Sequence, residues 1–398
     1  MQISEPQTKP SAQTGFNHPL WQLAFRSFFL AGGLYSALSV GLWLLSLSGF
    51  INLSQEVLPS VIWHAHEMIF GFAALIAVGF ILTAVQTWTG TPSITGLPVF
   101  LLLITWILVR VLLFINLQVT ALVALALLLG WWCTVVTIYA RIVWSANNKR
   151  NYLFVPLLSM LGILNVSTLA LAIAGFQDVA LHIARSAVLL FTMIMAVVGG
   201  RVIPFFTVRG AHVEPQEPLN WLEKILLPTS FIGISIFIAG QFVPLPITPA
   251  VFMILAGSLH LIRMTTWSSI HTLNVPLLWS LHLSYAFMGL GLIALGLSYS
   301  IDALTFSTAL HIITLGAIGL MIISMMSRVS LGHTGRLLQV KPQIVIAFLL
   351  MIAATVLRFG LSIAGHPFEA WIASASLWVI SFSIFFFTYW PVLSAPRQ

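Results

Sequence analysis

Apolar residues run through the chain in blocks of about twenty, the length an α-helix needs to cross a hydrocarbon layer about 30 Å thick. Bounded by Gly, Pro and charged residues, these blocks predict twelve helices: 25–47, 61–85, 98–116, 119–141, 152–175, 181–204, 225–241, 248–266, 277–298, 305–328, 342–364 and 369–392. The third and fourth are nearly continuous, broken only near Asn116 and Gln118. Residues 1–23 are polar and rich in Pro, Gln and Ser, without the apolar core of a cleaved signal. The expected layout is a disordered cytoplasmic tail over 1–23, one transmembrane domain over 24–392 and a short cytoplasmic tail over 393–398. The fold class is all-α, a polytopic membrane protein.

Charge sets the expected orientation. Lys149 and Arg150 follow the fourth helix, and Arg201, Arg209 and Lys224 bracket the loop after the sixth. Arg263 closes the eighth, and Arg328, Arg336 and Lys341 follow the tenth. The loops after helices 1, 5, 7, 9 and 11 carry only Glu56, Asp178, Asp302 and neutral residues. Basic loops thus follow even-numbered helices, which by the positive-inside rule puts both termini in the cytoplasm of a bacterial inner-membrane protein. An eleven-helix chain breaks this pattern.

Composition agrees. Charged residues are 6% of the chain and AVILMFWYC residues 59%, whereas a soluble domain is about a quarter charged. The partner of most of this surface is therefore the lipid bilayer. The net charge of +7 does not indicate nucleic acid, because the basic residues lie scattered between apolar runs. The single cysteine, Cys133, excludes a disulfide framework and a cysteine-based metal site. Pro-Leu entries open helices 1, 5 and 9 at Pro19-Leu20, Pro156-Leu157 and Pro276-Leu277. His66, His182 and His311 stand near the starts of the helices that follow. Three four-helix pseudo-repeats are one reading of this pattern and chance is the other.

The eleven histidines are the candidate chemistry. Ionisable side chains within membrane helices are costly and usually functional, although near helix ends a histidine can simply meet headgroups and water. The expected topology puts His64, His66, His182, His311 and His366 near the periplasmic surface. His18, His212, His260, His271, His282 and His333 fall near the cytoplasmic one. In Trp63-His64-Ala65-His66-Glu67 the two histidines are two residues apart, about 200° around a helix. They face opposite sides and suit two centres better than one metal. In His311-Ile-Ile-Thr-Leu-Gly316-Ala-Ile-Gly319 the glycines leave one face flat. That suits a planar macrocycle, or merely close helix packing. His66, His182 and His311 share a depth, as bis-histidine haem between helices requires, with Asp178 and Glu67 available as orienting partners. His64, His66, His182 and His311 are equally candidate ligands for zinc or copper. Five histidines in one leaflet are too few for an oxidase-type set of two haems and a three-histidine copper.

His282 and His311 differ in expected height by roughly 12 Å, from a 30 Å core less about 9 Å at each end. They cannot share an iron, and His282 looks to His18, His260 or His333 for a partner. Arg26, Arg201 and Arg328 are candidate partners for haem propionates, with snorkelling to lipid phosphates as the alternative. No carboxylate is placed mid-helix, which argues against a proton pump or a carboxylate-coupled transporter.

These residues resemble a known family. His64-Ala-His66-Glu67-Met-Ile-Phe-Gly71-Phe72, Gly79-Phe80-Ile-Leu-Thr83-Ala84 and Trp88-Thr89-Gly90 are similar to the NnrS family. So are Gly200-Arg201-Val-Ile-Pro204-Phe-Phe-Thr207, Pro276-Leu-Leu-Trp279-Ser-Leu-His282-Leu-Ser-Tyr285, and His311 through Arg328-Val-Ser-Leu-Gly332-His333-Thr334-Gly335-Arg336. Ser27 departs where the family has proline, and Gln86-Thr87 departs before the Trp-Thr-Gly; neither is a candidate ligand. The resemblance spans helices 1 to 10 and implies haem and copper binding in bacterial defence against nitric oxide during denitrification. It supports His64, His66, His282, His311 and His333 more than His182 or His260. The expected function is a membrane protein with one or two b-type haems that binds or reduces nitric oxide, with quinol or another donor supplying electrons. Copper stays open. The alternatives are a non-catalytic sensor or metal-delivery protein and, disfavoured, a transporter.

Overall fold

The computed structural model describes residues 16–53, 57–115 and 117–398. Every regular element among them is helical. Twelve helices are long and apolar enough to cross a membrane. They are α1 Ala24–Leu47, α2 Ser60–Thr89, α3 Leu97–Ile115, α4 Gln118–Ser145, α5 Lys149–Ile173 and α6 Gln177–Gly210. The remaining six are α7 Asn220–Ala239, α8 Pro249–Trp267, α9 Pro276–Leu297, α10 Phe306–His333, α11 Pro342–Ile363 and α12 Pro367–Leu393. The chain is an all-helical, multi-pass membrane protein. The predicted break between α3 and α4 is present: the Leu117 N–H donates to the Thr120 hydroxyl at 3.1 Å, which caps the new helix. Of the expected N-terminal tail, residues 1–15 lie outside the described residues. Pro19–Trp21 form a 3-10 turn in which the Leu20 N–H donates to His18 Nδ1 at 3.3 Å.

Two features differ from the expected elements. Helix α6 runs through Pro204 to Gly210 instead of ending at 204. A proline costs the hydrogen bond to the carbonyl four residues earlier, but membrane helices tolerate this where neighbours re-satisfy the freed group. Second, α2 and α10 each contain a π-helical segment, Glu67–Ala73 and Ile312–Gly319. Each begins on the residue after a candidate histidine, His66 or His311. π segments are rare and concentrate at functional sites.

The helices group into two compact units. One comprises residues up to 187 with 328–338 and 385–398; the other comprises 188–327 and 339–384. The division falls inside α6, α10 and α12, so the units do not coincide with three consecutive four-helix blocks. In the first unit α1 packs on α2 through Gly32, where a Cβ would lie 2.5 Å from Ile76 Cδ1. In the second, α8 and α9 cross at Gly257 and Gly289, where backbone meets backbone. Such small-residue contacts drive helix association in lipid, where burying apolar surface gains little. The outward faces are apolar: α4 exposes Leu122, Val123, Leu129 and Trp144.

Candidate functional site

The described histidines sort by what their ring nitrogens meet. His66 belongs to a buried polar cluster in the first unit, built from α1, α2, α3 and α5. At its centre is Glu67, 1% exposed. The Tyr35 hydroxyl donates to Glu67 Oε2. His66 Nδ1 lies 2.8 Å from Glu67 Oε1, and His66 Nε2 lies 2.9 Å from Asn165 Oδ1. Arg110 Nη1 stands 3.1 Å from Glu67 Oε2. That last contact is between charges and is not an aligned hydrogen bond, because no guanidinium nitrogen of Arg110 has an aligned acceptor. Gly71 makes room for it: a Cβ there would lie 2.6 Å from Arg110 Nη1 and 2.7 Å from Glu67 Oε2. The Gly71 carbonyl accepts from Trp106 Nε1 at 2.9 Å.

Glu67 lies near the start of α2, as expected, but it is buried rather than facing headgroups. A buried carboxylate there is tolerable only because Arg110, the Tyr35 hydroxyl and His66 compensate it. Both nitrogens of His66 are engaged, so it acts here as a member of the network. Sequence reasoning missed Tyr35, Arg110 and Asn165. The available signal was Arg110, the one charge in the otherwise apolar stretch Leu97–Ile115.

A second cluster, in the second unit, joins α6, α7, α8 and α9. Arg263 grips Glu223 with two parallel bonds, Nε to Oε1 at 2.6 Å and Nη2 to Oε2 at 2.5 Å. Its Nη1 donates to the Ala196 carbonyl at 2.8 Å and to the Tyr285 hydroxyl at 3.1 Å. The hydroxyl also lies 2.8 Å from His260 Nδ1. Gly200 is required for this approach, because a Cβ would overlap the Arg263 guanidinium. His260 is 1% exposed, and its Nε2 has no hydrogen-bond partner. His282 stands apart from that network, with Nε2 2.8 Å from the Thr207 hydroxyl and Nδ1 2.8 Å from the Ser269 hydroxyl.

His64, His182 and His311 are half-buried near helix starts. The His64 ring stacks on Trp43 of α1, centroids 4.6 Å apart, whereas His66 faces α5. The two therefore turn to different neighbours. The starts of α2 and α6 adjoin: Trp63 and Ala180 share one apolar cluster, and the Gln177 amide donates to the Val57 carbonyl at 3.4 Å. His64 and His182 thus stand at neighbouring helix starts in the first unit.

His311, in the second unit, has Nδ1 2.6 Å from the Ser307 carbonyl. A carbonyl only accepts, so Nδ1 carries the hydrogen and donates it. That orientation is typical of a metal-ligating imidazole. Helices α9 and α10 run antiparallel. A Cβ on Gly291 would meet Ile313, and the Ser284 hydroxyl donates to Met321 Sδ at 3.6 Å. His282 and His311 are therefore near opposite ends of the pair, roughly 15 Å apart along it at the helical rise.

The glycine face of α10 is already filled. A Cβ on Gly316 would lie 2.7 Å from Phe287, and one on Gly319 would lie 2.6 Å from Trp378 and 2.7 Å from Met351. These glycines seat neighbouring side chains, so the reading of a flat platform for a macrocycle is corrected to the packing alternative. Arg26 is 2% exposed and donates to the Leu393 and Ala395 carbonyls at 2.9 and 2.7 Å, closing the end of α12. Arg201 and Arg328 are half-buried. His333 packs its ring against Phe25, 5.5 Å between centroids, and His18 is exposed. Among the described residues no three His, Cys, Asp or Glu side chains stand close enough to hold a metal ion.

A multi-pass helical bundle that hides charged clusters inside its spans and sets imidazoles at its helix starts belongs to the membrane proteins with intramembrane polar sites. More particularly, the chain belongs to the NnrS protein family, whose description matches residues 19–397, and thus to membrane proteins of the response to nitric oxide. Comparison with curated proteins finds no match.

Proposed function

We propose that this is a haem protein of the bacterial inner membrane, with both termini cytoplasmic, that binds nitric oxide. The observation that carries the reading is His311. Its Nδ1–H is held by the Ser307 carbonyl, and a π-helical segment opens at the next residue. An imidazole fixed this way would hold a haem iron. In the first unit His64 and His182, at neighbouring helix starts, are candidate ligands as well. The haem would be held non-covalently, as a b-type haem is, since covalent attachment needs a Cys-x-x-Cys-His segment and Cys133 is the sole cysteine. A copper ion with three protein ligands does not fit the described residues, which offer no such group. When bound, haem iron supplies a coordination position for nitric oxide. The protein's own part is to aim His311 through Ser307 and to enclose the site in apolar helices. Electrons come from quinol or another donor when nitric oxide is turned over.

The test is an optical spectrum of the purified, dithionite-reduced protein with and without nitric oxide. A Soret band that shifts with the gas is expected, and His311→Ala should abolish the shift. A wild-type protein prepared with haem supplied during expression that shows no Soret band overturns the reading.

The orientation has its own test. Reporter fusions after Asn148 and Gly335 are expected to be active only with a cytoplasmic reporter. A cytoplasmic signal from fusions near Asp178 or Asp302 contradicts it.

A further inference from the structure

One end of the first unit carries charge of a single sign. Among its described residues the carboxylate side chains are Glu67 and Asp178, near the starts of α2 and α6. At the other end stand Arg26, Lys149, Arg150, Arg336 and Arg397, with no described Asp or Glu beside them. Even a carboxylate at Gln398 leaves that end strongly positive.

Packing draws three of these arginines together. Arg26 Nη1 donates to the Leu393 and Ala395 carbonyls at 2.9 and 2.7 Å. The Gln398 N–H donates to the Thr334 carbonyl at 3.0 Å. Gly335, at φ +79°, leaves room for this crossing. A Cβ there would overlap the Gln398 carbonyl oxygen and lie 3.4 Å from Arg397 Cγ. Residues 393–398 are thus fastened to the starts and ends of α1 and α10, and Arg397 stands beside Arg336.

Arg336 is not spent on the protein's own groups. At the end of α10 the Gly332 carbonyl accepts from the Gly335 N–H at 3.3 Å and the Leu331 carbonyl from the Arg336 N–H at 3.0 Å. The Ser330 carbonyl accepts from the Thr334 hydroxyl at 2.6 Å. The helix end is therefore capped without the Arg336 guanidinium, whose Nη1 has no hydrogen-bond partner. The half-buried side chain keeps a charge that an oxyanion from outside can pair, in the fork geometry that suits phosphate.

The surroundings are those of a lipid. Leu337 is 78% exposed, and Phe387 and Trp390, three residues apart on one face of α12, are 75% and 50% exposed. Arginines at helix ends next to bare aromatic and aliphatic surface suit an anionic headgroup with its acyl chains alongside.

We propose that Arg336 and Arg397, with Arg26 behind them, bind the phosphate of an anionic phospholipid whose acyl chains lie along Phe387 and Trp390. The site does not depend on haem or on nitric oxide.

Native mass spectrometry of the full chain in detergent tests it, with phosphatidylglycerol or phosphatidylcholine of the same acyl chains as the titrant. One phosphatidylglycerol should be retained more tightly than phosphatidylcholine. Arg336→Gln and Arg397→Gln should each weaken that retention by about tenfold, the effect of one charge-assisted hydrogen bond. Arg397 is exposed, so its replacement does not endanger folding. Lys149→Gln, an exposed cation at the same end but outside the cluster, should leave retention unchanged. Equal retention of the two lipids, or wild-type retention in both arginine variants, overturns the site. Equal weakening in Lys149→Gln also overturns it, reducing it to general attraction by a basic surface. Full displacement of the lipid by inorganic phosphate at matched concentration overturns the lipid assignment in favour of a free anion.

Discussion

Glu67→Gln should destabilise the protein by about 3–5 kcal/mol, the usual cost of removing one partner from a buried charge pair. The variant keeps the shape of the side chain but leaves Arg110, 5% exposed, without its counter-charge. It also replaces the acceptor of the Tyr35 hydroxyl and the partner of His66 Nδ1. The second arm is Glu67→Gln combined with Arg110→Met, which removes both charges. Because neutral replacement of a buried pair is often tolerated, the double variant should recover most of the loss. Thermal unfolding in detergent, followed by helical signal, measures both. A single variant as stable as wild type would show that Arg110 is compensated elsewhere. A double variant as unstable as the single one would show that hydrogen bonding by Glu67, and not charge, holds the cluster.

Gly257→Ala should also destabilise the protein, by a smaller amount and for a different reason. A Cβ there would lie 2.5 Å from the Gly289 carbonyl oxygen, and one on Gly289 would lie 2.9 Å from the Gly257 carbonyl oxygen. Backbone cannot swing aside as a side chain can, so α8 and α9 must separate. Overpacking of this kind costs typically 1–3 kcal/mol. The matched control is Gly130→Ala in α4, where a Cβ meets nothing within 4 Å. There the better helix propensity of alanine should leave stability unchanged or raise it by roughly 0.5–1 kcal/mol. Equal melting of the two variants contradicts the close crossing.

Much of the architecture was legible because the bilayer imposes it. With no water to satisfy backbone groups, each long apolar run has to become a helix. The length of the runs and the charges between them therefore predict all twelve spans, including the narrow break between Ile115 and Gln118, where Asn116 itself lies outside the described residues. Helix ends were less legible. Pro204 reads as a stop, yet α6 continues for six residues beyond it. A proline's effect depends on whether neighbours satisfy the carbonyl it frees, and that is a tertiary fact.

The candidate site divides in the same way. Histidines stand out in an apolar chain, and the spacing of His64 and His66 correctly sends them to different neighbours, because a helix turns about 100° per residue. The antiparallel sequence of helices likewise places His282 and His311 at different heights. Which nitrogen meets which atom was not legible. Tyr35, Glu67, Arg110 and Asn165 are scattered over some 130 residues, and only the packing of four helices brings them together. The same holds for Glu223, Arg263, Tyr285 and His260, whose network depends on Gly200 leaving space for a guanidinium. By itself, then, the sequence determined the class of protein, the count and order of its helices and the rarity of its polar side chains, since hydrophobic run length is a local property. The tertiary structure alone decided which of those side chains compensate one another, which glycines are filled by neighbours and where π segments interrupt α2 and α10. Those outcomes depend on contacts between segments far apart in the chain, and local patterning carries no record of them.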